Sequence, residues 1–183
     1  LDNNDVAVLQ MIENEILNLN LQFFTFYNEP STFISLDQAK FFEQTYPLFD
    51  LVINKFIDHL KKEQKLKLSQ NDVINLYFSY MFIMITAIPQ KAVRNKVYIC
   101  VDFSQGVLYS NYIKQTLKSF QNAHIVINDE VSPATDIYLS DFPNGFIDAE
   151  QIIWQNPPTP NDWSLLGDEI IRFKHENLDK LLS

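Results

Sequence analysis

The chain has 183 residues, 46% of them hydrophobic, with 15 Phe and 8 Tyr, enough apolar surface for one large core or two small ones and too much for a disordered chain. Its formal charge of −9 is shared, with seven basic against eleven acidic residues up to Ala92 and seven against twelve from Val93 onward. Neither half has the basic surplus that neutralises phosphates, so direct contact with DNA or RNA is not expected of this chain, although a longer parent with a separate basic domain is compatible with it.

Leu1 is not an initiator Met, and the residues after it are acidic and amphipathic, without the basic-then-apolar order of a targeting signal. The chain is expected to be a piece of a longer protein. From Asp5 to about Tyr27, Val8, Ile12, Ile16 and Leu19 recur at helical spacing, and Asn28, Glu29, Pro30 and Ser31 are expected to stop that helix. A second helical region runs from about Leu36 to Lys65. Tyr46-Pro47 interrupts it, and proline at a first helical position predicts a new helix rather than a kink. Phe49, Ile53, Phe56, Ile57 and Leu60 form the apolar stripe of that new helix, and Lys61, Lys62, Lys65 and Lys67 crowd its C-terminal end, where cations complement the helix dipole.

Ser69 with Asp72 three residues later reads as a helix N-cap, and the apolar run Leu76 to Ile88 follows before Pro89. That run is too short to span a bilayer and is expected to be a buried helix. After Pro89 the period changes. Val97 to Val101 reads as a strand covered on both faces, Asp102 to Gly106 as a turn, and Val107, Ile113, Leu117 and Phe120 as a helix. His124 to Ile127, Asp136 to Ser140 and Gln151 to Trp154 are three further strands. Thr159-Pro160-Asn161-Asp162 opens a last helix that continues through Leu165, Leu166, Ile170, Phe173 and Leu178. The expectation is a helical domain over residues 1–92 and an α/β domain with a mostly parallel sheet and right-handed crossovers over residues 93–183, joined between Pro89 and Lys96.

Candidate chemistry is sparse. The single Cys100 cannot form an internal disulfide, which suggests a reducing compartment; it falls inside a strand, where a buried thiol is the ordinary reading, and no Cys/His cluster has the spacing of a zinc site. The turn Asp102 to Gly106 lies where ligands bind in parallel sheets and leads into a helix N-terminus, but it has one glycine, no lysine, and an aspartate that repels phosphate. Asp102 and Asp141 follow the first and third strands, as in a receiver-type aspartyl phosphorylation site, but without the adjacent acidic pair or the later lysine. Turn and capping roles account for them better. His59, His124 and His175 fall in different elements and build no catalytic relay. No catalytic, cofactor-binding or metal-binding residue is assigned.

The run Tyr46-Pro47-Leu48-Phe49 with its stripe, followed by Leu68 to Tyr77, resembles the second half of a phosphotransferase-system regulation domain. Val97 to Ser110 resembles the opening of an EIIB-type domain, which has a strand, a Cys-Gly-x-Gly-x-Gly-[Ser/Thr]-Ser loop and a helix. This order of parts is similar to the C-terminal region of Mga-type and AtxA-type virulence regulators of Gram-positive bacteria. The resemblance implies a helical regulation domain, then a small EIIB-like domain with a four-stranded sheet. It also implies a cytoplasmic, non-enzymatic, cofactor-free region that forms homodimers through the EIIB-like domain and reaches DNA only through an upstream helix-turn-helix part. Aligning Gly106 and Ser110 with the EIIB loop puts Phe103 at the phosphorylated cysteine, and aligning Asp72-Val73 puts Ser79 at the regulation-domain histidine. Phe103 cannot accept a phosphoryl group, and Ser79 can be neither a phosphohistidine nor its mimic. Phe142, Phe146, Trp154 and Trp163 are the expected exposed aromatics for an interface. The rival expectation is an active EIIB-type phosphocarrier, or a receiver-like domain using Asp141.

Overall fold

The computed structural model describes residues 3–26, 36–63, 67–89, 96–120 and 124–183. Its contacts divide into two compact units, Leu1–Ala92 and Val93–Ser183. The first contains α1 (Asn3–Thr25), α2 (Leu36–Thr45), α3 (Pro47–Glu63) and α4 (Gln70–Ala87). The second runs β1 (Val97–Val101), α5 (Val107–Lys118), β2 (Ile125–Asn128), β3 (Ile137–Ser140), β4 (Glu150–Ile153) and α6 (Pro160–Leu182). The expected terminator Asn28 to Ser31, Lys65 and the link between Pro89 and Lys96 lie outside the described residues.

In the helical unit Pro47 starts α3 afresh one residue after α2 ends, since it lacks the N–H that a continuing helix would need. Four residues of the expected stripe, Phe49, Ile53, Ile57 and Leu60, are under 9% exposed on α3, and the fifth, Phe56, is half-buried against Tyr80. At the start of α4 the Asp72 N–H donates to Ser69 Oγ at 3.2 Å and the Ser69 N–H to the Asp72 carboxylate at 2.8 Å, a reciprocal cap that satisfies two otherwise orphaned donors. α4 packs against α1 and α3 and buries Leu76, Tyr77, Phe78, Tyr80 and Met81. It is not enclosed on every side, because Phe82 stays half exposed. The Tyr77 hydroxyl donates to Asp50 on α3 at 2.6 Å, and burial with that neighbouring carboxylate pushes its pKa up.

The second unit has a four-stranded, wholly parallel sheet in the order β2-β1-β3-β4. Alternate residues face one side, so Val97, Ile99, Val101, Ile137, Leu139 and Ile152 form one apolar surface. Ile113 and Leu117 of α5 and Leu166 and Ile170 of α6 close over that same surface as a single core. Parallel strands are usually linked by a dozen or more residues including a helix. Here only the β1–β2 link carries one, and β2–β3 and β3–β4 are crossed by eight and nine residues. Side chains hold these short returns. Asp136 accepts the Tyr98 N–H at 2.8 Å, and Thr135 Oγ1 accepts the Ser132 N–H at 2.9 Å. The last helix begins as expected, with Thr159 and Asp162 capping each other reciprocally and Pro160 in the first turn. No described helix is long and apolar enough to cross a membrane.

Candidate functional site

β1 ends centrally in the sheet, so the loop after it projects where a parallel sheet ordinarily presents ligands. The Asp102 N–H still continues the ladder, donating to Leu139 O at 3.0 Å. The chain then turns, and the Gly106 N–H donates back to Phe103 O at 3.0 Å. Gly106 sits at φ 91° and ψ −178°, a conformation open only to glycine, and no side chain caps the start of α5. These are the bones of an anion-binding loop at a helix N-terminus.

The amides of Phe103 and Ser104 are spent internally. The Phe103 N–H donates to Ser110 Oγ at 3.0 Å. The Ser104 N–H and hydroxyl both donate to the Asp141 carboxylate, at 2.8 and 2.6 Å, and Asn156 Nδ2 reaches the same carboxylate at 3.4 Å. Burial works to raise the Asp141 pKa, yet the Ser104 and Asn156 bonds outweigh it and hold the carboxyl below its usual range. A phosphate approaching this loop meets a fixed negative charge, a repulsion of about 1–4 kcal/mol per unit charge at 4 Å. Asp102, the carboxylate the sequence offered for this repulsion, accepts the Tyr138 hydroxyl at 2.9 Å, and Asp141 is a second carboxylate, bonded directly to the loop.

Phe103 occupies the position at which the resemblance expects a nucleophile. Its ring is turned into the core, 2% exposed, with Tyr109 edge-on at 5.3 Å and Trp154 at 6.2 Å. Cys100 is equally buried, and desolvation raises its thiol pKa despite the pull of Lys114, so it is not poised as a thiolate. Asp102 and Asp141 serve different partners, and no group of three or more His, Cys, Asp or Glu among the described residues could hold a metal. Ser79 is half-buried on α4. His59 is exposed on α3, His175 half-buried on α6, and His124 buried before β2. Lys61 pairs with Asp58 at 3.7 Å, while Lys62 and Lys67 are exposed.

The four expected interface aromatics separate. Phe146 is 98% exposed. Phe142 is half-buried, and Trp163 half-buried against the core. Trp154 is not an exposed aromatic, because it follows β4 on the helix-covered face and is enclosed by Phe103 and Trp163. On the opposite side of the β1–α5 loop lies a cleft of about 570 Å³, floored by Cys100, Val101 and Tyr138 and rimmed by Val107 and Phe146. Sequence reading missed Gln151. Its amide accepts the Asn144 N–H at 2.8 Å and donates to Asn144 O and Ile147 O at 2.7 and 3.1 Å, holding the loop that carries Phe146. Only the turn signal Asn144-Gly145 hinted that this loop was built. No protein-family model matches the chain, and no curated protein matches it.

Proposed function

We propose that this chain is the regulatory and self-association region of a cytoplasmic bacterial transcriptional regulator of the Mga/AtxA type, with DNA contacted by another part of the full protein. One observation carries the reading: the loop after β1 has a glycine turn and a Ser110 contact, while Phe103 is buried at the position where the resemblance puts a phosphoryl acceptor and Asp141 accepts the Ser104 amide and hydroxyl. A loop with this shape and no free nucleophile supports a module kept for association rather than group transfer. The acidic balance of both halves supports DNA contact through a different domain.

The reading is tested by incubating the chain with the general phosphotransferase components and phosphoenolpyruvate, and separately with acetyl phosphate and magnesium. No stable label is expected from either. Label lost on Cys100→Ser would instead make the α/β unit a phosphocarrier, and label lost on Asp141→Asn would make it receiver-like. Light scattering over a concentration series is expected to show a dimer, and a strict monomer at every concentration would remove the association reading.

A further inference from the structure

We propose that the cleft beyond the carboxyl ends of β1 and β3 binds a small organic cation, an amine or guanidinium group on an apolar body. This goes beyond the regulatory reading, which names no ligand. Place is the first argument. β1 and β3 are neighbours in the sheet, but the chain leaves β1 for β2 on one side and β3 for β4 on the other, so the connections part above them. Open parallel sheets bind ligands in the crevice at such a parting. The crevice here has about 570 Å³, within the ~300–1,000 Å³ of small-molecule sites.

The lining selects the charge. Asp102 follows β1, Asp129 and Glu130 follow β2, and all three border the cleft, with Lys114 as the cation among the described residues that line it. These charges converge on the floor. Burial first raises the Cys100 thiol there; Lys114 pulls it down, and Asp102, Asp129 and Glu130 each push it up. Lys114 is spent on Asp129 at 2.9 Å, which leaves Asp102 and Glu130, both exposed, with no ion pair among the described residues. Fixed charge of that sign draws in a cation and repels phosphate, nucleic acid or another acidic chain. A metal ion fits poorly, because a hard divalent ion takes about six or more ligands, and no group of three or more His, Cys, Asp or Glu among the described residues could hold one. The remaining wall is apolar: Val107, Val131, Ile147 and the Phe146 ring, 98% exposed on a loop that Gln151 ties down. Such a wall covers a hydrocarbon body, and the face of a phenyl ring attracts an ammonium or guanidinium group.

Titration calorimetry of the full chain with α,ω-diamines of butane to octane length, at low and high salt, tests this. One-site binding is expected, tightening with chain length and weakened by salt. Phe146→Ala and Glu130→Gln should each raise Kd at least about 3-fold. Lys114→Met should lower it by a similar factor, because it frees the Asp129 carboxylate while keeping an apolar stem. Asp168→Asn, exposed on α6 and outside the cleft lining, should leave Kd unchanged, which separates a site from general attraction to a chain of charge −9. An unchanged circular dichroism spectrum verifies the fold of each variant. No diamine binding up to about 10 mM, equal weakening by Asp168→Asn, or equal binding of a dicarboxylate of the same length overturns the site. A lysine-rich peptide that binds more than about 10-fold tighter than any diamine overturns the small ligand in favour of a basic protein segment. The measurement does not depend on self-association, so a strict monomer that binds diamines keeps the site while losing the association reading.

Discussion

Replacing Phe103 by Ala separates a core residue from a vestigial site residue. With the ring 2% exposed, its burial contributes about 2–3 kcal/mol. The space left between Tyr109 and Trp154 adds a cavity cost. If some 80 Å³ stays unfilled, at ~24 cal/mol per Å³, that is about 2 kcal/mol more. The loop lies at the edge of the core and can partly collapse, so the expected loss is about 3–4 kcal/mol. Tryptophan emission is the assay, because Trp154 and Trp163 are the two tryptophans of the chain, lie in the α/β unit and sit 4.5 Å apart. Denaturant titration should move the midpoint down at an unchanged slope. A loss below about 1 kcal/mol would refute the assignment of Phe103 to the core, and with it the main argument against phosphoryl chemistry at this loop.

In the helical unit, Ser69→Ala should cost about 1 kcal/mol, read by circular dichroism during unfolding, because it removes one side of the reciprocal cap with Asp72. Burial, then Lys174 and Lys96, lower the His124 pKa from 6.5 to about 4. The unfolded chain binds the extra proton between those values, so stability should rise with pH from about 4 to 6.5, by on the order of 3 kcal/mol, and His124→Gln should flatten that rise. Burial likewise lowers Lys174 from 10.5 to about 8. By the same sign, stability should rise again between about pH 8 and 10.5, and Lys174→Met should abolish this second rise. Lys174→Met should also move the His124 titration upward in an NMR pH series, since one of the two cations repelling the imidazolium is gone.

Local chemistry was legible in the residues themselves. Pro47 must begin a helix because it has no N–H to continue one, Ser69 with Asp72 and Thr159 with Asp162 must cap, and Val97 to Val101 is β-branched and apolar enough to be a central strand. All of these depend on neighbours within four residues, and the strands appear within one residue of where the pattern puts them. What depended on distant parts of the chain was not legible. Trp154 and Phe146 are both large aromatics near strand ends, yet one is enclosed and the other fully in water, because the helix-covered face of the sheet takes the first and a loop tied by Gln151 holds out the second. Asp102 and Asp141 look alike as strand-end acids, and only the pairing of β1 with β3 brings Asp141, 37 residues on, to the Ser104 amide. The sequence by itself determined the order and type of the elements. Tertiary packing decided which carboxylate accepts the Ser104 amide and which aromatic is left in water, because burial and charge pairing are properties of residues far apart in the chain.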